Sequence, residues 1–181
     1  MKKKIIIGVS ILVVVVIAVI AYEVLVGTKK SPSKTTTFSY NGLDIKVVYC
    51  QPYKKGRLIF GEEKDKALQP FGKYWRLGAN AATEITLSKN INFAGKPVSA
   101  GTYRMYAVPG ASNWQVSLNS GLGNWGYSEP DYALDVLKVD VPAAESPETE
   151  QFVINFGSDS TGVQMDFVWD KTLVRVPITV Q

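Results

Sequence analysis

The chain of 181 residues contains no histidine and a single cysteine, Cys50. The first absence excludes a Ser-His-Asp triad, a Cys-His pair and every imidazole metal ligand. The second excludes a disulfide within the chain. Fifteen glycines and nine prolines are too few for a collagen-like repeat, and a 46% hydrophobic content excludes disorder throughout. Charge of one sign is also scarce in most of the chain. Of twenty basic and sixteen acidic side chains, six lysines and Glu23 fall within 1–34. Fourteen basic and fifteen acidic side chains remain in 35–181, which is therefore near neutral. A nucleic-acid binder needs a basic face that releases phosphate counterions, so nucleic acid is not an expected partner.

What is present begins with a long apolar run. Lys2, Lys3 and Lys4 precede a stretch over 5–26 in which only Gly8, Ser10, Tyr22 and Glu23 leave the aliphatic and alanine set. At ~1.5 Å per residue, such a run spans most or all of a ~30 Å hydrocarbon core. In lipid the backbone bonds only to itself, so the run is expected to be a transmembrane helix despite its β-branched residues. The run exceeds the ~7–15 residues of a signal-peptide core, which favours an uncleaved anchor over a cleaved leader. The expected organisation is a cytoplasmic tail over 1–4, an anchor over 5–26, a Gly/Ser/Pro/Lys tether over 27–34 and a folded domain over 35–181. Three lysines flank each side of the run, so charge orients it weakly. With a short tail, 35–181 is expected outside the cytoplasm, in the cell envelope.

Beyond the tether the hydrophobic period is two. Thr35–Tyr40 and Leu43–Cys50 flank Asn41-Gly42, the strongest two-residue hairpin signal, because a type I′ turn requires positive φ at both positions. The predicted register pairs Tyr40 with Leu43, Phe38 with Ile45 and Thr36 with Val47. Further strands are predicted at Thr83–Ser88, Ile91–Phe93, Thr102–Val108, Trp114–Leu118, Leu134–Val141, Gln151–Phe156, Val163–Trp169 and Leu173–Val180. Pro177 marks its run as an edge strand or a strand end. Only Glu62–Gln69 suggests a helix, of barely two turns. The expected fold is all-β: an antiparallel sandwich, or a flattened barrel, of about nine to ten strands, preceded by one transmembrane helix.

Two long excursions interrupt the alternation, Pro52–Thr83 and Ser120–Ala133. Excursions of this length are uncommon in compact domains and often functional. The first contains Gly56-Arg57, Ile59-Phe60-Gly61 and Pro70-Phe71-Gly72-Lys73-Tyr74-Trp75-Arg76-Leu77-Gly78-Ala79-Asn80. With Gly95-Lys96, Ala100-Gly101-Thr102-Tyr103, Pro109, Trp114, Asn119 and Asn124-Trp125-Gly126, Tyr132, Asp135-Val136, this string resembles the bacterial domain-of-unknown-function family 2911. The resemblance runs from about Ser31 to Thr179. It implies an exported or membrane-associated protein and carries no catalytic residue to this chain. Glu62–Ala67 departs from the family pattern as an insertion.

The residue types of the excursions suggest a ligand site. An arginine fork suits carboxylate or phosphate, and Trp offers a flat face for a sugar ring. A cleft of Arg57, Trp75, Arg76, Asn80 and Trp125 would take a carbohydrate or an anionic small ligand. The same residues equally read as internal staples, with arginine bonding loop carbonyls beneath Trp, because backbone groups in long loops need partners. Cys50, lacking any histidine base, is expected as a buried thiol. The acids Glu129, Asp131, Asp135 and Glu148–Glu150 lack the alternation of a Ca²⁺ loop, and Gly121-x-Gly123 opens no helix, so neither metal nor cofactor is expected. The leading functional expectation is a non-catalytic binding or envelope-structural module. The alternative is a carboxylate-dependent hydrolase with Arg57 or Arg76 as electrostatic stabiliser, and it needs an acid opening into the same cleft.

Overall fold

The computed structural model describes residues 10–22 and 31–181. Eleven strands follow in chain order: β1 (Ser33–Tyr40), β2 (Leu43–Cys50), β3 (Phe60–Gly61), β4 (Gln69–Pro70), β5 (Thr83–Leu87), β6 (Ile91–Phe93), β7 (Lys96–Val98), β8 (Gly101–Val108), β9 (Asn113–Asn119), β10 (Asp135–Asp159) and β11 (Gly162–Val180). Nine form one antiparallel sheet in the order β1-β2-β5-β8-β9-β10-β11-β6-β7. The expected flattened barrel is corrected, because β1 and β7 remain the ends of the order and the sheet does not close. The short edge β7 carries Lys96 and Pro97, which discourage further pairing. β3 and β4 pair separately, in parallel, inside the first excursion.

The hairpin β1–β2 has the predicted register, with Phe38 opposite Ile45 and Tyr40 opposite Leu43. Asn41 and Gly42 take φ of 48° and 74°, as a type I′ turn requires. The apolar face of β2 (Leu43, Ile45, Val47, Tyr49) is buried throughout.

β10 and β11 correct two sequence expectations. Apart from Leu134, Leu134–Val141 and Gln151–Phe156 belong to one strand of 25 residues, and Val163–Trp169 and Leu173–Val180 to one of 19. The polar stretches between these segments pair with each other across register shifts between Glu145, Thr149 and Val153, and Asp170 takes positive φ there. They are bulges in a continuing ladder, and the second carries Phe152 into the core. β11 is not an edge strand. Pro177 is tolerated because it lies where pairing with β10 has ended at Val174 and pairing with β6 begins at Ile178. The first half of β10 pairs with β9 and the second with β11 alone. This brings Phe152, Ile154 and Phe156 back over β1 and β2: Phe38 stacks on Phe156 at 5.6 Å, and Tyr49 meets Phe152 edge-on at 5.7 Å.

Between the facing parts of the sheet lies one continuous core. Its aromatic end is built from Phe60, Trp75, Trp114, Phe152 and Trp169, with ring centroids 4.8–6.0 Å apart. Glu62–Gln69 forms only a single 3-10 turn at Glu63–Asp65, ended by Lys66 at positive φ.

Of the expected N-terminal span, only 10–22 falls within the described residues. A helix, α1, covers 10–22, and no helix among the described residues is long and apolar enough to cross a membrane. The other parts of the expected 5–26 span, 5–9 and 23–26, lie outside the described residues, as do the tail over 1–4 and the tether positions 27–30.

Candidate functional site

Both excursions are held by β8. Trp75 forms a bridge to Ala107 of β8, with backbone bonds of 2.7 and 2.9 Å, so the segment after it leaves the sheet at a fixed place. Leu77 and Asn80 take positive φ, which turns the chain sharply back toward β5. The Asn80 carbonyl accepts from the Gly126 amide at 3.0 Å and from Arg76 Nη1 at 3.3 Å. Ala81 bridges to Trp125. A Cβ on Gly126 would stand 2.8 Å from the Asn80 carbonyl oxygen and 2.7 Å from Arg76 Cδ, so glycine permits this close approach of the two excursions. The Asn80 side chain donates to the Ser31 carbonyl at 3.3 Å and fixes the entry of the chain into the body.

Three of the five expected site residues come together. Arg57, Arg76 and Asn80 line one hollow of about 270 Å³, with Ser31, Leu68 and Gln69 among its other walls. A second hollow, of about 410 Å³, shares Ser31 and Arg57 and adds Tyr53 and Lys55. Arg57 is exposed, and its Nε donates to the Lys54 carbonyl at 2.9 Å while Nη2 donates to that of Tyr53. Arg76 is half-buried, and its guanidinium carbon lies 5.6 Å from the Tyr127 ring centroid. Burial draws its pKa below the ordinary guanidinium value, and Tyr74 and Tyr127 act in the opposite sense. Among the described residues neither arginine has a carboxylate partner, and no Asp or Glu lines the 270 Å³ hollow.

The other two expected residues lie elsewhere. Trp75 is 2% exposed in the aromatic core, with its Nε1 donating to the Gly78 carbonyl at 3.1 Å. It offers no face to a ligand. Trp125 is 59% exposed beside the hollow and does not line it. Cys50 is a free, buried thiol.

The outer side of the sheet holds a second group that the sequence reading missed. Arg104 is buried on β8, where alternation predicts a solvent-facing side chain. Its Nη2 donates to Tyr74 Oη and to the Ser128 carbonyl at 2.6 Å, and its Nε has no partner. Tyr74 passes the chain on to the Gly126 carbonyl at 2.9 Å. Beside it, Tyr106 donates to Asp135 at 2.8 Å and Asn119 donates to the same carboxylate at 2.8 Å. Burial raises the pKa of Tyr74 and of Tyr106, and burial with a hydrogen bond to Glu129 pushes Tyr132 up to about 12. The available signal was the length of Ser120–Ala133, sufficient to cover this side of β8 and β9. A larger hollow, of about 620 Å³, lies between β10 and β11 beside Val141, Leu173 and Pro177. It is mostly apolar, and its one cation, Arg175, is held by Asp166 through two bonds of 2.7 Å. The unpaired arginines make the smaller hollow the candidate site.

A family model described as "Protein of unknown function (DUF2911)" matches residues 31–178. The chain belongs to the DUF2911 family. The match takes in β1 to β11 but for the last residues of β11, both excursions and every residue of the candidate site. It agrees with the resemblance read from the Trp75-Arg76 and Trp125-Gly126 motifs. No curated protein and no solved structure matches the chain.

Proposed function

We propose that the chain is a non-catalytic binding module that takes an anionic ligand between Arg57 and Arg76, and that the apolar segment 5–26 anchors it with its body outside the cytoplasm. We read the doubled sheet as a sandwich that carries the site at the end where the chain enters. The observation that supports binding is the pair of guanidinium groups on one hollow with no carboxylate, among the described residues, to neutralise them. A planar fork with unused donors matches phosphate or carboxylate oxygens, and partial burial of Arg76 strengthens the attraction by reducing solvent screening. The exposed Trp125 ring beside it suits a sugar carried by such an anion.

The hydrolase alternative requires an acid facing Arg76, and the lining provides none among the described residues. The test is thermal unfolding of the full chain in detergent with inorganic phosphate, small dicarboxylates and sugar phosphates. A ligand held by the native state alone at about 100 times its Kd stabilises by about 2.7 kcal/mol. An upward Tm shift that disappears in Arg57→Gln/Arg76→Gln is expected. A shift of equal size in the double variant would place the site elsewhere.

A further inference from the structure

We infer that the end of the body bearing Arg57 and Arg76 lies flat on an anionic bilayer surface, with Trp125 and Tyr127 at headgroup depth and Lys55, Arg57 and Arg76 against lipid phosphates. This deepens the reading above: it rests on the anchor and names the source of the anion.

The first support is position. Ser31 rims both hollows and is bonded to Asn80, so the chain coming from the apolar segment enters the body at this end. Five Cα–Cα steps separate Val26 from Ser31 and reach at most about 18 Å when extended. An anchored chain therefore holds this end close to the headgroups.

The second support is the kind of side chain exposed there. Trp125 is 59% exposed and Tyr127 77%, whereas Trp75, Trp114 and Trp169 are at most 2% exposed. Exposing large aromatic rings to water is unfavourable, and Trp and Tyr settle at the membrane interface because one part of each ring is apolar and another polar. Both rings adjoin the hollow, Tyr127 through Arg76 and Trp125 through the Gly126–Asn80 bond. Leu68 adds an exposed apolar side chain to the hollow wall.

The third is charge. Lys55, Arg57 and Arg76 share this end, and Lys29 and Lys30 precede it in sequence. Of the acids beside Lys55, Glu148 and Asp170 are paired with Lys54 at 2.6 Å, and Glu150 accepts from the Lys55 amide at 2.9 Å. A body that is otherwise near neutral thus turns basic groups and aromatic rings toward the side on which its anchor lies. Anionic leaflets attract such groups over about a Debye length.

The experiment reconstitutes the full chain in vesicles of phosphatidylcholine, with and without phosphatidylglycerol, and reads Trp125 fluorescence. Flotation with the vesicles reports the anchor. Quenching by lipids brominated high on the acyl chain, and protection from aqueous acrylamide, report docking. Trp125→Phe identifies the responsive component, since the other three tryptophans are in the core. The expected result is lipid quenching and acrylamide protection in the anionic vesicles only. Replacing the exposed pair in Lys55→Gln/Arg57→Gln, which leaves half-buried Arg76 in place, lowers the docked-to-undocked ratio by about fivefold per charge. Flotation with Trp125 still open to acrylamide in both vesicles would overturn docking and leave the anchor standing. Equal protection with and without phosphatidylglycerol would overturn the role of the basic groups. Failure to float would remove the anchor and docking with it, whereas the phosphate-dependent Tm shift in detergent tests the anion site independently.

Discussion

Arg76 lies over the ring of Tyr127, with 5.6 Å between guanidinium carbon and ring centroid, and this contact joins the two long excursions of the chain. Arg76 also donates to the Asn80 carbonyl, which in turn accepts from Gly126. Arg76→Ala removes one hydrogen bond and one partly exposed cation–π contact. The expected loss is about 1–2 kcal/mol of unfolding free energy in a urea titration, together with loss of the anion-dependent Tm shift. A variant of unchanged stability that still responds to anions would show that Arg76 neither joins the excursions nor contacts the ligand.

Trp75 should behave differently from its neighbour in sequence. It touches Phe60, Trp114, Phe152 and Trp169 in the core. Trp75→Ala leaves a large cavity and is expected to cost about 3–5 kcal/mol. Trp75→Phe should retain the fold and the anion response. If Trp75→Phe kept the stability and lost the anion response, Trp75 would have a ligand role that its burial denies.

The Asn41-Gly42 turn gives a test at the opposite side of the body from any proposed function. Gly42 has φ of 74°, and valine resists that region whatever the surrounding space. Gly42→Val is expected to lower stability by about 1–3 kcal/mol with unchanged anion binding. The midpoint of urea unfolding measures it, and an unmoved midpoint would mean that the hairpin does not rely on a type I′ turn.

Alkaline pH should weaken the fold through tyrosines whose protons the folded state holds tightly. In the folded state the Tyr132 pKa is pushed up to about 12, mainly by burial and then by Glu129, and Tyr74 and Tyr106 shift in the same direction. The unfolded value is about 10. The folded state thus holds these protons more tightly. Its stability contribution is complete below about pH 10 and is lost as pH rises from there through about 12. Tyr132→Phe should flatten that fall in urea midpoints measured from pH 9 to 12. A slope unchanged by the substitution would show that Tyr132 titrates alike in both states.

How far the site could be read from residues alone varies with the kind of signal. Asn41-Gly42 fixed a register because turn geometry and alternation are both local. Arg57, Arg76 and Asn80 could be nominated because an arginine fork in a long excursion suits an anion, and the fold does put them on one hollow. Trp75 joins them in the sequence reading because its flat ring suits a sugar. Its bridge to Ala107 points its ring into the core, while Arg76, the next residue, faces outward. Arg104 was invisible as a buried group because alternation gives the face of a strand and not what later covers it.

The sequence by itself determined the β character, the first hairpin, the two excursions, the family resemblance and an apolar run over 5–26, because periodicity, turn chemistry and composition act over a few residues. Only the tertiary structure decided that polar stretches within β10 and β11 continue the ladder as bulges, that the sheet stays open, and that Arg57, Arg76 and Asn80 meet beside Ser31 while Trp75 turns inward. Those outcomes depend on which distant segments pair or cover one another, and the pairing energy is shared among residues up to about a hundred positions apart, such as Tyr49 and Ile154, whose hydrogen bonds no local pattern records.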